Sequence, residues 1–177
     1  MVLNRAQIEL FIRKESLISG YPDLESQLTP NGFDLTVNKV FEFDSCGSLD
    51  FSNKERILPQ TMELLPVKQN PKEETGWWDL KTGAYKIEAN EFLRLPKNII
   101  GIAFPRSSLL RMGAFTQTGI WDAGFNGKSE FILVVQNPRG LRLKQNARLI
   151  QMVFEKIKAV NKGYQGIYQM EPFSAKA

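Results

Sequence analysis

Apolar residues recur along this chain in two rhythms. From Asn4 to Ser19 the spacing is helical: Asn4 can cap the segment, and Ile8, Phe11, Ile12 and Glu15 fall on one stripe. Gly20, Tyr21 and Pro22 break that helix. Beyond them come short apolar runs punctuated by Gly, Pro and Asn, the pattern of strands. The predicted strands are Asp34 to Val37, Val40 to Phe43, Met62 to Leu65, Ala84 to Glu88, Ile99 to Phe104, Phe115 to Thr118, Phe131 to Gln136, Leu141 to Leu143 and Ala147 to Lys156. One late segment, Ser107 to Met112, reads as a short helical turn closed by Gly113. Val67 to Asp79 is polar apart from Trp77 and Trp78 and reads as a loop. Adjacent tryptophans there fit a packing plug or a subunit contact better than a ligand platform.

Many short strands at close spacing argue for a sandwich or jelly roll. No break in composition marks a second domain, and 177 residues suffice for one domain with a real core. No apolar run approaches the ~18 residues of a membrane span, so no membrane partner is expected. The opening MVLNRAQIELFIRKES mixes charge into its apolar residues, unlike a secretory signal. Cys46 is the single cysteine and cannot form an internal disulfide, which fits a cytoplasmic location. The net charge of +4 comes from scattered Lys and Arg with no basic block, so no nucleic-acid partner is expected. The chain has no histidine. That excludes a Ser-His-Asp triad and a Cys-His nucleophile, and removes the usual ligands of a zinc site.

Two constellations carry chemistry. In PRSSLLR, Arg106 and Arg111 offer charge-assisted forks, and Ser107 and Ser108 offer hydroxyls and backbone donors suited to phosphate oxygens. Spacing alone is better served by a capped helix with exposed arginines. In TGIWDAGFNG, Thr118 to Trp121 form the arm of a tight hairpin or loop with Asp122 just past it. A lone carboxylate held near a triphosphate can accept a proton from water. The plain alternative is a turn residue bonding its own backbone.

Together these segments resemble the dUTPase and dCTP deaminase family, with most likeness to its archaeal dUTPase branch. PRSSLLR is similar to the family's second motif. The third matches at Gly119, Asp122, Phe125 and Gly127, with Phe125 in place of the tyrosine of ordinary dUTPases. Gly32-Phe33-Asp34-Leu35 looks like the first motif and Ala147 to Phe154 like the fourth. Gly163 to Tyr168 looks like the fifth. The resemblance implies a mainly β, distorted jelly-roll or β-clip dUTPase-like fold with a short N-terminal helix. A single domain would span residues 1–162, and residues 163–177 would form a C-terminal arm closing over the site through Tyr164 and Tyr168.

For function, the resemblance implies hydrolysis of dUTP to dUMP and pyrophosphate in a homotrimer with sites between subunits. Asp122 would activate water for attack on the α-phosphorus. Arg106, Ser107, Ser108, Arg111 and Gln151 would bind phosphate. Thr118, Gly119, Ile120, Trp121 and Phe125 would bind base and sugar. Mg²⁺ would be held by the triphosphate and water with no direct protein ligand. Asp34 receives no catalytic role.

The deaminases of this family need a further carboxylate ten residues after the motif Asp, where this chain has Ile132. Glu130 would share that strand face, roughly 7 Å away at about 3.3 Å per residue. A dCTP deaminase, or a bifunctional enzyme, is therefore the alternative. A non-catalytic deoxynucleotide-binding protein is a second one, against which the presence of Asp122 argues.

Overall fold

The computed structural model describes residues 1–170. Helix α1 spans Arg5–Glu15. The Asn4 side chain accepts from the Gln7 amide at 3.0 Å, and the Gln7 side chain accepts from the Asn4 amide at 3.0 Å. This reciprocal box satisfies two helix-end donors at once. The helix is shorter than the periodicity predicted. Ser16 takes a left-handed conformation (φ 54°) and stops it. Leu17 and Ile18 then bury completely, and Ile18–Ser19 become a short strand, β1, paired with Leu93 and Phe92. Tertiary pairing overrides the local helical rhythm.

A one-turn helix, α2 (Leu24–Gln27), is capped by Asp23, whose carboxylate accepts from the Ser26 amide at 2.7 Å. It leads into β2 (Leu28–Thr29) and β3 (Gly32–Phe43). The two strands predicted on either side of Asn38 are one strand with a register shift between Val37 and Lys39. The rest follow as β4 (Thr61–Leu64), β5 (Trp77–Leu80), β6 (Gly83–Arg94), β7 (Ile99–Pro105), α3 (Ser107–Arg111), β8 (Ala114–Gln117), β9 (Asn126–Val135), β10 (Leu141–Lys144) and β11 (Arg148–Lys156).

The main sheet runs β7-β11-β3-β6-β9-β8, with β1 added to β6 and both β2 and β4 added to β3. Its first and last strands, β7 and β8, touch, so the sheet curls toward closure as a jelly roll does. Alternate residues face inward: Ile87, Ala89 and Leu93 on β6, Phe131, Leu133 and Val135 on β9, and Ile150, Met152 and Phe154 on β11. The expected mainly β fold with a short leading helix is what the chain adopts.

The predicted loop Val67 to Asp79 ends instead in β5, which pairs with β10 as a separate ribbon. Trp78 is buried there and its indole N–H donates to the Leu64 carbonyl at 2.7 Å. Trp77 packs beneath Arg142 and Lys144, 4.8 and 5.2 Å from its ring. Both tryptophans are packing residues within the chain.

After β11 the chain runs back across the molecule. Val160 N–H donates to the Lys97 carbonyl at 3.0 Å and Tyr164 N–H to the Ala123 carbonyl at 2.8 Å. Of the expected arm, residues 163–170 lie against residues 123–128, and residues 171–177 lie outside the described residues. Among the described residues no helix is long and apolar enough to cross a membrane.

Candidate active site

The first half of the site is built where β7 runs into α3. The Arg106 amide donates to the Leu149 carbonyl at 3.0 Å, which fixes the start of α3 against β11. Arg106, not a serine, occupies the N-cap position, and it makes no side-chain cap bond. Ser107 and Ser108 are exposed in the first turn, where helix amides have no partner inside the helix. Arg111, four residues after Ser107, lies on the same face and is also exposed.

Behind this turn lies Asp34 on β3, with its side chain 3% exposed. Its Oδ2 is 3.0 Å from Arg106 Nε and 3.5 Å from Arg148 Nη1. Burial pushes the Asp34 carboxyl up, and the guanidinium groups of Arg106 and then Arg148 pull it back. Gln151 stands opposite Asp34 across the β3–β11 ladder and opposite Phe104 across β11–β7. Its amide donates to Thr29 Oγ1 at 2.8 Å. The structure thus brings Arg106, Ser107, Ser108, Arg111 and Gln151 onto one end of the sheet. Sequence reasoning missed Arg148, which also donates to the Ser26 carbonyl. Its place inside the fourth motif was the available signal, and on β11 it stands opposite Thr36.

The second half surrounds a cleft of about 740 Å³, within the usual size range for small-molecule sites. Gly119, Ile120, Trp121 and Phe125 form one wall, with Tyr164 and Tyr168 over it. Trp121 is held by a backbone bridge to Gly101: each amide donates to the other's carbonyl, at 3.0 and 2.9 Å. With those groups consumed, the backbone edge left beside the cleft is Gly119–Ile120. A Cβ added at Gly119 would meet nothing within 4 Å, so this chain's own packing does not demand a glycine there.

Asp122 begins a turn in which its carbonyl accepts from the Phe125 amide at 3.0 Å. Its carboxylate is exposed and makes no hydrogen bond or ion pair among the described residues, so it is not the self-bonded turn residue of the plain alternative. Gly124 in this turn has φ 87°, and an added Cβ would lie 2.7 Å from Gly163 Cα, so only glycine lets the arm seat so closely. Phe125 is buried and meets Tyr164 edge to face at 5.5 Å.

The cleft floor carries charges that the sequence reading largely missed. Lys86 pairs with Glu130 at 3.0 Å and Lys128 with Glu88 at 3.2 Å, beside Ile132. The period-two alternation in β6 and β9 was the signal for that face.

None of Arg106, Ser107, Ser108, Arg111 and Gln151 lines the cleft, and Thr118 and Asp122 stand outside its lining as well. Trp121 pairs with Gly101, and Arg106, just past the end of β7, is five residues on from Gly101, a backbone span of about 17 Å at the ~3.3 Å rise of a strand. Among the described residues no group of three or more carboxylates and cysteines is arranged to hold a metal ion.

A family profile described as dCTP deaminase-like matches residues 2–157. The Archaeoglobus fulgidus protein named "Probable deoxyuridine 5′-triphosphate nucleotidohydrolase" is 44% identical over 170 residues, covering 96% of each chain. The Methanocaldococcus jannaschii protein named deoxyuridine 5′-triphosphate nucleotidohydrolase is 35% identical over 145 residues, 82% of this chain and 88% of that one. Among solved structures, the 2′-deoxycytidine 5′-triphosphate deaminase of Agrobacterium tumefaciens superposes with a TM-score of 0.60 at 20% identity. That match spans 88% of this chain and 48% of the deaminase, and it speaks for the fold alone. The profile match runs from ahead of α1 to just past β11 and takes in the residues of both halves of the site other than Tyr164, Tyr168 and Met170, so this chain belongs to the dCTP deaminase-like family.

Proposed function

We propose that this protein hydrolyses dUTP to dUMP and pyrophosphate. The observation that carries the reading is the similarity, nearly end to end, to archaeal proteins named for that activity. The chemistry of the site supports it. Arg106, Ser107, Ser108 and Gln151, with Arg111 beside them, offer charged forks, hydroxyls and helix-turn amides to a triphosphate and stabilise charge developing on it. Asp122, exposed and uncommitted, orients and deprotonates the attacking water. The Gly119–Ile120 edge faces the pyrimidine, Phe125 packs under the sugar, and Tyr164 and Tyr168 cover the cleft.

The phosphate face and the cleft are lined by separate residues. This arrangement agrees with one nucleotide held by the phosphate face of one copy and the cleft of another, as in a homotrimer with its sites between subunits. Asp34, the carboxylate of the phosphate face, is already paired through Oδ2 with two guanidinium groups. That donor set fits Mg²⁺ carried by the triphosphate oxygens and water, where the ion neutralises phosphate charge. A cytoplasmic setting agrees with this substrate.

The test is direct. Pure protein is incubated with dUTP, dCTP, dTTP and UTP in the presence of Mg²⁺, and the products are identified. The expected outcome is dUMP and pyrophosphate from dUTP. A second reading, deamination of dCTP, is favoured by one observation: Glu130 lines the same cleft as Gly119 and Trp121. Ammonia released from dCTP as fast as dUTP is hydrolysed would establish it.

A further inference from the structure

Glu91 stands in β6 with no exposed surface, a position carboxylates rarely take without partners. The chemistry proposed above does not use it. It falls on the inward-facing row of β6, between Ala89 and Leu93, where the β6–β9 register shifts between Glu88 and Phe92. Its Oε1 accepts from Gln27 Nε2 at 2.7 Å and from Thr36 Oγ1 at 2.6 Å. Its Oε2 accepts from the Thr36 amide at 3.0 Å.

Each partner leads to the phosphate face. The Gln27 amide also donates to the Asp34 carbonyl at 2.8 Å, and its neighbour Ser26 receives Arg148 on its carbonyl. The Thr36 hydroxyl, having donated to Glu91, accepts from Asn90 Nδ2 at 2.8 Å. Asn90 also donates to Asn146 Oδ1 at 2.9 Å, in the turn that delivers Arg148 two residues later. One carboxylate thus joins α2, the strand bearing Asp34 and the turn before Arg148.

We propose that Glu91 is a positioning residue for the triphosphate-binding face, fixing Asp34 and Arg148 and, through Asp34, Arg106. The inference rests on the reading of Arg106 as a phosphate ligand. The polarity of the hydrogen bonds carries it. The Gln27 amide, the Thr36 N–H and the Thr36 hydroxyl all donate, so the site requires acceptors on both oxygens. An amide of the same shape turns a donor against a donor in either orientation. Binding side chains hold their geometry only when the groups behind them are locked.

The experiment compares Glu91→Gln and Thr36→Val with the native protein. Binding of a non-hydrolysable dUTP analogue and of deoxyuridine is measured by calorimetry, alone and in an Arg106→Ala background. Either variant should weaken the analogue about tenfold, the worth of a buried donor left unsatisfied, with deoxyuridine unaffected. Thr36→Ser, which keeps the hydroxyl, should restore affinity. The Glu91→Gln loss should shrink once Arg106 is gone, because both act on one face. Normal analogue binding by folded Glu91→Gln, equal loss of both ligands, or full additivity with Arg106→Ala overturns the proposal while leaving Arg106 its role. If Arg106→Ala itself binds the analogue normally, the phosphate-face reading falls and this inference with it.

Discussion

At one end of β7 Asp34, Arg106, Arg148 and Gln151 are tied down, and near the other end Asp122 is left loose. Asp34 is buried between Arg106 and Arg148, Arg148 reaches the Ser26 carbonyl, and Gln151 is pinned to Thr29. Asp122 sits on an exposed turn with its carboxylate uncommitted. The contrast suits two different tasks. Cations that receive a polyphosphate work best when already oriented, because they then lose little freedom and need little rearrangement. A base has to reach water and exchange a proton with it, so a buried, paired carboxylate could not serve.

Breaking the loose end should have the largest effect. Asp122→Asn should lower turnover of dUTP by about 10²-fold or more, the usual worth of a general base. Affinity for a non-hydrolysable analogue should persist, because the phosphate face is untouched. Near-normal turnover would leave Asp122 as a plain turn residue. At the tied end, Arg106→Ala should weaken triphosphate binding by about ten- to a hundredfold, as expected for a lost charge-assisted bond. Deoxyuridine should bind as before. Asp34 would keep Arg148 as its partner, so a melting curve run alongside separates lost binding from lost structure.

Truncation before Gly163 sharpens the contrast by acting on the cleft alone. Turnover should drop several-fold if Tyr164 and Tyr168, which line the cleft, serve to exclude water from it. Solution size should be unchanged and the melting temperature little altered, because the core strands end at Lys156. Unchanged hydrolysis would make the segment a passive terminus.

The smallest effect concerns pH. Burial pushes the Glu91 carboxyl above the ordinary glutamate range, against its hydrogen bonds from Thr36 and Gln27. A group raised in the folded state contributes stability that is fully present below its unfolded pKa and is lost as pH rises through the folded one. The melting temperature of the native protein, relative to Glu91→Gln, should therefore decline as pH rises from the ordinary glutamate range toward neutrality. A constant difference across that range would show that Glu91 does not titrate there.

The strands were legible because a half-buried strand alternates and its ends carry Gly, Pro or Asn. The motifs were legible because they are local in sequence. What escaped depends on distant partners. Leu17 and Ile18 continue a helical rhythm, and only pairing with Leu93 draws the segment into the sheet. Trp77 to Leu80 are only four residues at the end of a polar stretch, too few for their alternation to stand out, and become a strand through β10. Arg148 lay inside the fourth motif, but its role is set by Asp34 on another strand. Glu91 shares the inward row of Ile87, Ala89 and Leu93, but the groups that satisfy its carboxylate all come from other elements and leave no local mark.

The arm is seated on the chain that carries it. Besides the Tyr164 bond, Met170 N–H donates to the Asn126 carbonyl at 3.0 Å and the Gln169 side chain to the Gly124 carbonyl at 3.1 Å. Seating is therefore a unimolecular event. A short tether presents the arm to its groove at an effective concentration on the order of millimolar. Diluting the protein should leave coverage of the cleft unchanged even where it dissociates subunits. A free peptide copying residues 163–170 would have to approach that concentration to displace the arm.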